Sequence, residues 1–166
     1  TRVGPRTAMG NLMRRYWIPA LLSEEIPLPD CPPVRVRLLG EDLIAFRDSS
    51  GRVGLLDEHC SHRGTSLFYG RNEECGLRCI YHGWKYDVEG NVLDTPAEPA
   101  DSDFKKKLRH TAYPCREVAD IVFTYMGPRE KMPLFPAYEW VSLPDDRTHV
   151  VKAYLECNYL QGIEGD

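Results

Sequence analysis

The sequence predicts a mainly β protein of small antiparallel sheets, with two hairpin loops that carry metal-binding side chains and a short helix near the start. Three observations carry this expectation. Apolar and charged residues alternate from Val34 to Leu39, the period of a half-buried strand. Thirteen glycines and thirteen prolines interrupt the chain, and helical periodicity is scarce. Two Cys/His pairs, Cys60-Ser61-His62 and Cys79-Ile80-Tyr81-His82, are separated by sixteen residues, and a glycine follows each within two positions.

Residues 7–16 read as the helix. Thr7 suits the N-cap, and Met9, Leu12, Met13 and Tyr16 share one face. Trp17-Ile18-Pro19 is expected to end it, because a residue before proline avoids the helical region. A proline-rich connector follows at 26–33. Strands are expected at Val34–Leu39, Leu43–Arg47 and Val53–Leu56, with turns at 40–42 and 48–51. This meander delivers the chain to a first ligand loop at 60–64. A second loop lies at 79–83, and Trp84–Asp87 leaves it as a strand. Glu89-Gly90-Asn91 turns into Val92–Leu93, and 94–107 form a polar loop. Ala112–Val118 and Ile121–Tyr125 close the β region. A second proline-rich connector covers 127–136, with a new strand expected at His149–Leu155 and a helix start at 158–166. The implied domains are 1–30 (helix and connector), 31–126 (the β domain) and 127–166 (a linker and the beginning of another domain).

At 166 residues and 42% hydrophobic content, the chain can bury one real core. A net charge of −4 gives no nucleic-acid footprint. No apolar run is long enough for a membrane span, and no signal-peptide pattern is present. Six cysteines interleaved with histidines at ligand spacing favour a reducing, cytoplasmic setting and a metal site over disulfides. Thr1 replaces a starting Met and the chain stops amid a helical pattern, so the sequence reads as a piece of something longer.

Cys60, His62, Cys79 and His82 are the candidate ligands. Pairs at i, i+2 and i, i+3 suit tight loops, whose backbone amides can curl around a site. Gly64 and Gly83 let the backbone come close. Two thiolates and two imidazoles are the ligand set of a Rieske [2Fe–2S] centre, with a potential of about −150 to +300 mV against roughly −400 mV for plant-type all-cysteine clusters. A tetrahedral Cys2His2 zinc site uses the same donors and stays open as an alternative.

The segments Cys60-Ser-His62-Arg63-Gly64 and Cys79-Ile-Tyr-His82-Gly83-Trp84-Lys-Tyr86-Asp87, with Gly90, resemble the α (large) subunit of Rieske non-haem iron aromatic-ring-hydroxylating oxygenases. The flanks N-L-M-R-R-Y-W-I-P-A and E-C-N-Y-L-Q-G-I-E-G-D are most similar to the phthalate 4,5-dioxygenase group. The resemblance implies a Rieske [2Fe–2S] domain followed by the start of an α+β catalytic domain. Cys60 and Cys79 would bind the inner iron, and His62 and His82 the outer one. A flavin/iron–sulfur reductase or ferredoxin would supply electrons. They would leave through His82 and cross, via an Asp, to a neighbouring subunit of a trimer. There a mononuclear non-haem Fe(II), held by two His and a carboxylate, would activate O2 to oxidise an aromatic substrate. The D-x-x-H-x-x-x-x-H segment of that site is not in this sequence, and Asp166 falls just upstream of the bridging Asp, so no catalytic residue is assigned. A stand-alone Rieske ferredoxin is the alternative, and the helix before the domain with the segments after it argue against that.

The remaining candidates have plain readings. His59 is a polar neighbour of the first ligand. His110 and His149 are ordinary histidines, and Cys75 is a free thiol. Cys31, Cys115 and Cys157 are small, buried or partly buried thiols. Trp84 and Tyr86 are expected to pack beneath the loops, Arg63 to pair with a carboxylate, and Lys105-Lys106-Lys107 with Arg109 to form a solvated run.

Overall fold

The computed structural model describes residues 2–99 and 101–165. Three small antiparallel sheets make up the body. Helix α1 (Ala8–Met13) starts where expected: the Thr7 side chain accepts the Gly10 N–H at 3.1 Å. It is shorter than the 7–16 pattern: past Met13 the bonds tighten to i→i−3, from the Arg15 N–H to the Leu12 carbonyl and from the Tyr16 N–H to the Met13 carbonyl, before the chain extends at Trp17. The buried Arg14 guanidinium donates to the Val3, Gly10 and Leu39 carbonyls and to the Glu41 carboxylate.

The chain then enters a strand the sequence hid, β1 (Trp17–Leu22). Pro19 ends the helical pattern, but it also suits an edge strand, where a missing N–H costs little. β1 is that edge: it pairs with β11 (Ile121–Tyr125), which pairs with β10 (Cys115–Val118). The register shifts between Pro19 and Leu21.

The second sheet runs β2-β3-β4-β9, from Val34–Leu38, Glu41–Arg47, Val53–Asp57 and Ala112–Tyr113. The expected meander is present. β3 is buried on both faces. Ile44 and Phe46 enter a core with Leu56, Leu67, Leu77, Trp84 and Tyr86, beneath the ligand loops. Leu43 and Ala45 enter a second core with Leu21, Ile26, Leu55 and Val122.

The third sheet, β5-β6-β7-β8, comprises Arg71–Glu73, Gly76–Arg78, Lys85–Tyr86 and Val92–Asp94. Its β5–β6 hairpin, between the two ligand loops, has no sequence signal. The turn is Glu74-Cys75, with φ of 49° and 58°, where Asn-Gly is usual.

Past Met126 regular structure thins. The strand expected at His149–Leu155 is absent: Val150–Ala153 lie beside the edge strand β1 around a shared cavity and form no ladder with it. Helix α2 (Tyr159–Ile163) is capped by Asn158, whose side chain accepts from Leu160 and Gln161. Asp166 lies outside the described residues. Leu134 is 93% exposed and Tyr154 84%. No helix among the described residues is long and apolar enough to cross a membrane.

Candidate metal centre

The two loops share one hydrogen-bond scheme. In the first, which follows β4, the Cys60 N–H donates to the Thr65 carbonyl at 2.9 Å and the Gly64 N–H to the Cys60 carbonyl at 2.8 Å. In the second, between β6 and β7, the Cys79 N–H donates to the Trp84 carbonyl at 2.8 Å and the Gly83 N–H to the Cys79 carbonyl at 3.1 Å. Both closing glycines hold positive φ, 73° at Gly64 and 76° at Gly83, which favours glycine.

The loops bring the four candidates together as two pairs. The His62 and His82 rings lie 4.6 Å apart at 67°. Cys60 and Cys79 are 4% and 3% exposed, with their thiols in hydrogen-bond contact. Burial pushes the Cys79 thiol up, and proximity to Cys60 adds to this, while the Tyr81 and His82 backbone N–H groups oppose it. Among the described residues, no three His, Cys, Asp or Glu side chains gather where a single ion could hold them. His62 is stacked on Trp84, 4.7 Å and 5° between ring planes, and its Nδ1 is buried without a hydrogen-bond partner. Desolvation lowers the His62 pKa, with His82 and Arg63 adding to the effect, so the ring favours the neutral, metal-binding form.

Around the pairs lies a shell that the sequence reading largely missed. The Tyr86 hydroxyl is 3.0 Å from Cys60 Sγ. Burial first, then Cys60, raises the Tyr86 pKa, so the phenol stays a donor. His110, read as ordinary, is only 4% exposed and stacks on Tyr86 at 4.4 Å. Its Nδ1 lies 2.7 Å from Ser61 Oγ and its Nε2 2.9 Å from the Asp57 carbonyl oxygen. Burial pushes the His110 pKa down, favouring the neutral ring. Glu58 anchors the base of the first loop by accepting from Ser66 and Arg35. Arg78 anchors the second, donating to the Gly83 carbonyl and the Asp94 carboxylate, both at 2.8 Å, and to Glu73 at 2.7 Å. No local pattern flags these residues, because each acts through partners distant in sequence or through backbone atoms.

Other expectations fare unevenly. Trp84 and Tyr86 do pack beneath the loops. His59 is exposed beside Asp57. Arg63 is also exposed, and no carboxylate among the described residues pairs with it; Arg35 does that work through Glu58. Cys75 sits on the hairpin turn, its Sγ 3.1 Å from Ser50 Oγ. Lys105 and Lys106 are tied to the Leu93 carbonyl and to Asp103.

Residues 16–118 match the Rieske [2Fe-2S] domain family. The chain belongs to that family. Its Rieske sequence is 51% identical to the phthalate 4,5-dioxygenase oxygenase subunit of Pseudomonas putida, over 99% of this chain and 37% of that one. It is 48% identical to the 3-chlorobenzoate-3,4-dioxygenase oxygenase subunit of Comamonas testosteroni, over 99% of this chain and 38% of that one. The chain thus spans a little over a third of the length of these relatives. Among solved structures, the Rieske fold is shared with dicamba monooxygenase bound to dicamba: TM-score 0.68, 24% identity, 79% of this chain and 41% of that one. A reduced complex between oxygenase and ferredoxin in carbazole 1,9a-dioxygenase matches with TM-score 0.59 at 30% identity, over 69% of this chain and 29% of that one.

Proposed function

We propose that this Rieske chain is the electron-relay part of an aromatic-ring-hydroxylating oxygenase α subunit. Cys60 and Cys79 would hold the inner iron of a [2Fe–2S] cluster, and His62 and His82 the outer. The observation that carries the reading is the buried, unpartnered Nδ1 of His62, in a ring 4.6 Å from that of His82. A buried polar atom without a partner is costly, and an iron would satisfy it. The division into a thiol pair and an imidazole pair adds support: two protein ligands per iron are what this cluster asks for, whereas zinc asks for four on one ion.

Bound there, the cluster supplies a one-electron couple. The chain's own residues do the rest. Trp84 covers one face of His62 and keeps water from it. The Tyr86 hydroxyl and the Tyr81 and His82 amides direct hydrogens at the two cysteine sulfurs, favouring their negative charge. Tyr81, whose ring centroid is 3.8 Å from that of His82, and Ile80 are exposed, so His82 lies at the accessible rim and suits the electron exit.

In this proposal residues 31–126 form the Rieske domain, 1–30 lead into it, and 127–166 link it to a catalytic domain. That domain would hold the mononuclear iron and the aromatic substrate. The donor would be a reductase or ferredoxin, the assembly trimer-based and the setting cytoplasmic. A stand-alone Rieske carrier is not favoured, because the chain matches oxygenase subunits over nearly its whole length. Iron and acid-labile sulfide assays on the full gene product decide: three irons per chain for the oxygenase, two for a carrier, and zinc without sulfide against both. His82→Ala is expected to abolish the normal reduced-cluster resonance and electron delivery; full turnover in that variant would refute the ligand assignment.

A further inference from the structure

His110 is none of the four proposed ligands, yet it holds both flanks of Cys60. The Asp57 carbonyl oxygen can only accept, so the His110 Nε2 at 2.9 Å carries the proton and donates. In the neutral ring Nδ1 then offers only a lone pair, and the Ser61 hydroxyl at 2.7 Å must donate to it. That hydrogen is committed and is not free for the neighbouring sulfurs. The other face of the arrangement is Tyr86. Its ring stacks on His110 at 4.4 Å and 29°, and its hydroxyl lies 3.0 Å from Cys60 Sγ.

We propose that His110 is a positioning residue for the metal centre: by fixing the Ser61 hydroxyl and the Tyr86 ring, it keeps the Tyr86 phenol donating to the Cys60 sulfur and so sets the reduction potential. This rests on the Rieske reading above. A hydrogen bond to a ligating thiolate favours the more negative, reduced state, and its loosening lowers the potential. His110 therefore acts through Tyr86, and its effect depends on the phenol.

The test is a double-mutant cycle on the cluster-loaded protein, read by midpoint potential and by electron paramagnetic resonance of the reduced state. His110→Ala is expected to lower the potential, by no more than Tyr86→Phe does, and to shift the resonance. Ser61→Ala is expected to lower it less. Both effects are expected to vanish on a Tyr86→Phe background. A residue with a structural role alone would reduce the loaded fraction and leave the potential of the loaded molecules unchanged. An unchanged or raised potential overturns the proposal, as do shifts that persist undiminished with Tyr86→Phe. If His110→Ala takes up no cluster, Ser61→Ala, which removes one hydroxyl, decides by the same criteria. Wild-type protein without iron and sulfide would instead overturn the Rieske reading itself.

Discussion

Gly64 and Gly83 close their loops with nearly the same φ, but a side chain would meet different surroundings at each. A Cβ at Gly64 would meet open space, whereas at Gly83 it would lie 2.9 Å from Pro96 Cγ. Gly64→Ala therefore carries the left-handed backbone cost alone, about 1–2 kcal/mol. Gly83→Ala adds a clash to it and is expected to be the more destabilising of the two. Urea midpoints of the loaded protein check the order. Both glycines were legible from sequence, since each follows its His within two positions. His110 was not: a lone histidine has no local signature, and its partners Asp57 and Ser61 lie about fifty positions upstream.

At the scale of elements, the second ligand loop is tied to the third sheet by Arg78. Hydrogen bonding to Arg78 holds the Asp94 carboxyl below its ordinary value, and Arg47 does the same for Glu117 between the other two sheets. A depressed folded-state pKa gives stability that is present above the unfolded value and lost as pH falls through the folded one. The wild-type urea midpoint should thus decline as pH drops below the ordinary carboxylate range, near 4. Arg78→Gln should make that decline shallower, as midpoints measured from pH 7 to 3 would report. The β5–β6 hairpin makes another case. Cys75 pays for φ of 58° without glycine's freedom, so Cys75→Gly is expected to be neutral or stabilising by up to about 1 kcal/mol in the same assay. This hairpin and β1 are the elements the sequence concealed. Glu74-Cys75 is not a turn-forming pair, and Pro19 reads as a helix stop until an edge strand is seen to accommodate it. The β2–β4 meander was legible because its alternation and turns agree locally. The strand expected at His149–Leu155 failed because β pairing is settled by a partner, which periodicity does not contain.

Over the whole molecule, both hydrophobic cores are built from residues up to Met126. The later chain adds the packing of Phe135 on Trp17 and an exposed Lys152–Glu25 ion pair, the latter worth about 0–1 kcal/mol. Deleting 143–166 should therefore leave cluster loading intact and move the thermal midpoint by less than about 4 °C, measured by calorimetry. The two sides of β3 tie the molecule together differently. Because Ile44 and Phe46 face one core while Leu43 and Ala45 face the other, a bulkier side chain on either side pushes the same backbone. Sequence drift in the sheet remote from the irons is then felt at the redox centre, and compensating changes in related proteins should pair across this one partition wall, not within either compartment.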